Sequence, residues 1–173
     1  EMSFIEREDI LRIFEGLTKY LFKSVKNVEL EDFPPMQYDD AMKFYGSDKP
    51  DIRFDMKFVE LTDIAKGKDF PVFDNAELVV GICAKGQAAN YSNKDIKKLT
   101  SWLQRPQIGA KGLVYIKFNE DGTVKSPVGK FYSEEDLRAF GERFGAEAGD
   151  MLLILSGDAD TTRKQLCELR LEM

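Results

Sequence analysis

The chain has 173 residues, enough for one domain or one small domain with an attached segment, and a net charge of −6 that argues against a general nucleic-acid coat. It contains no histidine, so a Ser-His-Asp triad, a Cys-His pair and a histidine-ligated zinc are all excluded within it. Neither a phosphate-binding GxxxxGK[ST] loop nor a GxGxxG turn is present, no apolar run is long enough to span a bilayer, and no signal peptide is read at the start; the expected setting is soluble and cytoplasmic, with no membrane partner.

Ser3 and Glu6 have capping-box spacing and predict a helix beginning just after Ser3. Ile10, Ile13, Phe14, Leu17, Leu21 and Val25 then recur at close to helical period, and Leu11, Tyr20 and Phe22 add a second apolar face. A helix apolar on more than one side is usually buried from several sides. The chain is therefore expected to be a piece of a larger protein. Residues 27–35 read as extended, because Pro34 and Pro35 exclude helix there. A short helix over 39–45 is expected to stop at Gly46.

The segment Tyr45-Gly46-Ser47-Asp48-Lys49-Pro50-Asp51-Ile52-Arg53 follows, with Asp55 just beyond. Its density of fixed charge around a proline marks a rigid loop suited to a polar partner. Ser47, Asp48, Lys49, Asp51 and Arg53 are the candidate site residues. The plain structural alternative is a solvated turn in which Asp48 caps and Arg53 neutralises Asp51 or Asp55.

A single helical turn is expected at 61–65, and Phe70, Val72 and Phe73 suggest a short strand. Residues 78–84 form a stronger strand, uncharged and rich in β-branched side chains. Ser92 with Asp95 and Ser133 with Asp136 repeat the capping-box spacing and predict helices to about Arg105 and Phe144. Between them, 113–118 alternates like a half-exposed strand, Asp121-Gly122 marks a hairpin turn, and 123–131 is expected to return as its partner. Residues 151–155 read as a buried strand and 161–171 as a last helix, with Leu166 and Leu169 inward. Helices following strand pairs predict an α+β domain of two layers, a mostly antiparallel sheet with helices on one face. Cys83 and Cys167 are expected to be reduced thiols acting as small hydrophobes.

The 45–53 segment resembles a signature of bacterial-type aspartyl-tRNA synthetases. Gly109-Ala110-Lys111-Gly112-Leu113-Val114-Tyr115-Ile116-Lys117 is similar to a segment of their insertion domain, as are Ser126-Pro127-Val128-Gly129-Lys130-Phe131, Gly149-Asp150-Met151 and Leu169-Arg170-Leu171. Glu1-Met2-Ser3-Phe4 resembles the residues after the motif 2 strands of the class II catalytic domain. The resemblance implies that 68–158 is a GAD insertion domain, that 1–67 is a catalytic-domain flank following motif 2, and that 159–173 is a return helix. It implies a parent that activates aspartate with ATP and magnesium and loads it onto tRNA(Asp), as a homodimer.

The catalytic residues, the cofactor contacts and any metal ligands would lie outside this chain, so it is expected to be inactive alone and to bind tRNA weakly or not at all. In the parent, Lys49 or Arg53 would meet tRNA or order the active-site rim. Lys111, Lys117, Lys125 and Lys130 read as a solvated sheet face, with a weak contact to the tRNA acceptor arm as the alternative, and Trp102 reads as core, with a stacking platform for a base as the alternative. A GAD-type domain of a tRNA-dependent amidotransferase subunit and a free-standing α+β interaction module are the competing functional readings.

Overall fold

The computed structural model describes residues 2–173. Glu1, the first residue of the segment likened to the class II catalytic domain, lies outside the described residues. The chain divides into two compact units, Glu1–Met36 and Gln37–Met173.

The first unit is built on α1 (Arg7–Lys26). The helix starts later than the Ser3–Glu6 spacing suggests: Phe4 takes a left-handed conformation (φ 54°), and the reciprocal cap is supplied by Asp9, whose carboxylate accepts the Glu6 N–H at 3.1 Å. Asn27 closes the helix in the left-handed region (φ 52°), donating to the Lys23 carbonyl, while the Val28 N–H reaches the Phe22 carbonyl. The following stretch is tied back by ion pairs Lys19–Asp32 and Lys23–Glu29, both at 2.5 Å, and by the Phe33 N–H donating to Glu15. No side chain of α1 is buried.

The second unit begins with α2 (Tyr38–Tyr45) and continues through β1 (Val59–Glu60), α3 (Thr62–Ala65), α4 (Pro71–Asp74), β2 (Leu78–Ala84), α5 (Asn93–Leu103), β3 (Val114–Phe118), β4 (Val124–Lys125), α6 (Glu134–Phe144), β5 (Met151–Gly157) and α7 (Ala159–Glu172). The strands form one sheet in the order β1-β2-β5-β3-β4, antiparallel at every pairing. This is the α+β class with an antiparallel sheet that the element order predicts.

The layering differs from the expected single helical face. Leu78, Val80, Ile82, Met151, Leu153 and Leu155 point into a core closed by Ile96, Leu99 and Leu103 of α5 and by Leu166 and Leu169 of α7. Val79, Cys83, Leu152 and Ile154 point the other way, against Leu61 just before α3, Ala65 of α3, Phe73 of α4, and Leu137 and Phe140 of α6. The physical reason is in the strands themselves. All of β2 is buried, as are the first five residues of β5. A strand apolar at every position has two faces to cover.

Two local readings also change. In place of a strand at 70–73, Phe70 caps the helical turn α4, with Pro71 at its first position, where the missing N–H costs nothing. The return strand expected over 123–131 is only β4; the chain then turns at 126–132 and sends Tyr132 into the core, its hydroxyl donating to the Ala65 carbonyl at 2.6 Å. Capping boxes at Ser92/Asp95 and Ser133/Asp136 form as the spacing predicts. Both cysteines are free thiols, and burial, with the Asp150 charge second, pushes Cys83 up to about 12.

Candidate functional site

The charged loop leaves α2 through Gly46, which is buried and left-handed (φ 70°). A Cβ at this position would lie 2.2 Å from the Arg163 carbonyl oxygen, so the loop is pressed against α7 as closely as glycine permits. Beyond it the loop satisfies itself. Ser47 Oγ accepts the Lys49 N–H at 3.1 Å. Asp51 accepts the Arg53 N–H at 3.0 Å and takes the guanidinium in a fork, Nε to Oδ1 at 2.9 Å and Nη2 to Oδ2 at 2.5 Å. The side-chain and then the backbone hydrogen bonds from Arg53 bring the Asp51 carboxyl down to about 2.

Of the sequence-predicted residues, Asp51 and Arg53 thus neutralise each other, as the structural alternative anticipated for Arg53, and Ser47 stiffens the turn. Asp48 does not accept a capping bond among the described residues. It and Lys49 are exposed and have no ion-pair partner among the described residues. Lys49 is the cation of this loop left free to meet an anion.

The residue that holds the loop's second half comes from the far end of the chain. Arg170, in α7, is 1% exposed. Its Nε donates to the Met56 carbonyl and its Nη2 to the Phe54 carbonyl, both at 3.0 Å. The guanidinium lies over the Phe54 ring at 4.0 Å and the Tyr45 ring at 5.0 Å. Burial lowers its pKa, while Tyr45, Cys167, Asp51 and Asp55 act in the opposite sense. Among the described residues no carboxylate comes within ion-pair distance of it, so the charge is held by carbonyl dipoles and aromatic faces. Met56 stands at φ 121°, a conformation side-chain-bearing residues rarely adopt; its N–H is held by the Asp55 carboxylate and its carbonyl by Arg170.

A second polar anchor sits at the start of β5. Asp150, 3% exposed, accepts the Gly86 N–H and the Glu147 N–H at 2.8 Å each and the Lys85 ammonium at 2.9 Å. Burial pushes its carboxyl up, but these bonds outweigh it and the group ends below the usual carboxylate range. Asp150 thereby fixes the loop after β2 to the turn before β5. The Gly149-Asp150 pair preceding an apolar run was the sequence signal. Arg170 carried a weaker one, a charge between two leucines.

The lysines weighed as a possible RNA face do not act together. Lys117 donates to the Tyr91 carbonyl, Lys130 covers the Phe131 ring at 4.8 Å, and Lys111 and Lys125 are exposed. Trp102 is half-buried against the core, as expected in part. No helix among the described residues is long and apolar enough to cross a membrane.

Comparison with known proteins adds two findings. The family described as "GAD domain" matches residues 72–166. The whole chain is also similar to proteins named aspartate–tRNA ligase: 60% identical to that of Bacteroides fragilis, 61% to that of Bacteroides thetaiotaomicron and 58% to that of Flavobacterium psychrophilum. In each case all of this chain aligns with 30% of the relative, so the chain spans under a third of the length of the curated relatives it matches.

Proposed function

The chain belongs to the GAD domain family, and on that premise we propose that it is the insertion-domain region of an aspartate–tRNA ligase. The observation that carries the reading is the span of the similarity. The alignment with ligases, 60% identical over its length, covers the entire chain and so takes in the charged loop and α1, which lie outside the 72–166 match. A relationship confined to the GAD region would fit an amidotransferase subunit or a free-standing module equally well.

In this reading residues 1–67 are a flank of the catalytic domain following motif 2, 68–158 form the inserted domain and 159–173 are a return helix towards the catalytic domain. The parent activates aspartate with ATP and magnesium, loads it onto tRNA(Asp), and works in the cytoplasm as a homodimer. The groups that grip ATP lie in the rest of the ligase, because the chemistry demands positioned cations around the transferring phosphate and no such set is legible here. Ser47, Asp48, Lys49, Asp51 and Arg53 form part of the active-site rim, with Lys49 as the contact to tRNA, since Arg53 is already committed to Asp51. The apolar faces of α1 are covered by other parts of the ligase.

The test is aspartate-dependent ATP–pyrophosphate exchange, followed by aminoacylation. The full-length protein is expected to perform both with aspartate, and residues 1–173 alone neither. Glutamine-dependent amide formation on a charged tRNA, without aspartate-dependent exchange, would overturn the proposal in favour of the amidotransferase.

A further inference from the structure

The exposed side of α5 concentrates positive charge in an otherwise acidic chain. Lys94, Lys97, Lys98, Ser101 and Trp102 recur at intervals of three and four residues, so they share one face, and Arg105 follows just past the end of the helix. With Tyr91 they line an open groove of about 710 Å³. Asp95 and Glu172 line it too, leaving cations in excess. Asp95 is already held by the Ser92 N–H and hydroxyl, and meets Lys98 at only 3.5 Å. Among the described residues no carboxylate lies within ion-pair distance of Lys94, Lys97 or Arg105. Some cations elsewhere are paired, Lys68 with Asp136, Arg138 with Glu134 and Arg143 with Asp63, and Lys49, Lys111 and Lys125 are unpaired among the described residues but do not cluster as these do.

This placement does not serve the helix. Lys94 stands in the first turn, where a cation opposes the helix dipole, and the last turn carries no basic residue. Trp102 packs part of its ring on the core and leaves the rest in the groove, so the aromatic surface is held rigid. From Lys94 to Arg105 the cations extend over about 16 Å at a helical rise. Shallow basic tracks interleaved with fixed aromatics suit a nucleic-acid backbone, with phosphates on the cations and a base or sugar against the ring.

We infer that this face of α5 is a docking surface for the phosphate backbone of RNA, its occupant being the tRNA of the proposed ligase. The inference rests on that reading for the identity of the RNA but on the α5 face alone for the chemistry.

The experiment uses the full-length protein carrying Lys94→Glu, Lys97→Glu and Lys98→Glu together, with tRNA(Asp) as the probe. KM for tRNA is expected to rise about tenfold or more, and the slope of log affinity against log salt to fall by about 2 to 3. Aspartate-dependent exchange without tRNA stays within about twofold, and the Lys→Arg triple variant keeps wild-type tRNA affinity. Unchanged tRNA affinity and salt slope would overturn the inference. Should charge reversal also abolish exchange, the neutral Lys→Gln triple variant decides by the same salt slope. A wild-type protein with no aspartate-dependent exchange would sink the ligase reading instead. The salt slopes of tRNA binding, wild type against variant, would then still decide the α5 surface, and an unchanged slope with loss of an acidic protein partner would overturn it.

Discussion

The helices α1 and α7 teach by contrast. The first is the longer, 20 residues against 14, and carries the stronger apolar pattern, yet buries nothing. Leu11, Phe14, Leu17, Leu21, Phe22 and Val25 all remain exposed. The second is largely polar, but it buries Thr162, Leu166, Leu169 and Arg170 against the sheet and the charged loop. Amphipathic pattern tells how much surface a helix has to hide; only a partner hides it. In Gln37–Met173 the sheet is that partner. Within Glu1–Met36, the stretch after the helix is joined to it through exposed ion pairs of small worth.

The largest test of this contrast is deletion of the buried arginine. Arg170→Ala leaves the Phe54 and Met56 carbonyls without a donor and opens space between Tyr45 and Phe54. A loss of roughly 2 to 4 kcal/mol is expected in urea unfolding followed on the second unit. Arg170→Met, which fills the space without the bonds, recovers part of it. In the same isolated chain Phe14→Ala is expected to cost under about 0.5 kcal/mol. Equal losses for the two deletions would break the contrast.

A smaller effect concerns acid. Hydrogen bonds from Lys68, then from the Ser133 hydroxyl and N–H, bring Asp136 down to about 2. A carboxyl depressed in the folded state contributes stability that is present above its unfolded value and lost as pH falls through the folded one. That window runs from the ordinary 3.8 to about 2. Asp136→Asn is expected to flatten this part of the stability–pH curve for the second unit, read as denaturation midpoints. A curve that keeps its full slope would assign the acid sensitivity elsewhere, Asp51 being next by its own shift.

What was legible in the sequence follows the range of the interactions. Capping boxes at Ser92 and Ser133, and the Gly46 stop, need only residues a few positions apart, and they form. The two uncharged strands are legible as strands, and their apolar residues at consecutive positions call for helices on both faces, as the structure has them. Residues 70–73 misled because Val and Phe favour strands, while Pro71 at a first helical position argued for a turn of helix. The Asp51–Arg53 pair lies two residues apart and was foreseen as the structural alternative. Arg170 meets carbonyls 114 and 116 positions earlier, and Asp150 holds an N–H 64 positions earlier. No local pattern reports such contacts. The α5 stripe was in plain view as Lys94, Lys97, Lys98 and Arg105, but net charge averaged over the chain concealed it.

Hydrogen exchange on residues 1–173, followed amide by amide, tests the contrast between the two units most directly. Amides of β2 and β5 are expected to exchange only through global unfolding, whereas those of α1 exchange orders of magnitude faster, at a rate untouched by Arg170→Ala. Protection of α1 equal to that of β5, lost together with it in the variant, would show that the first unit is already covered and would contradict the account.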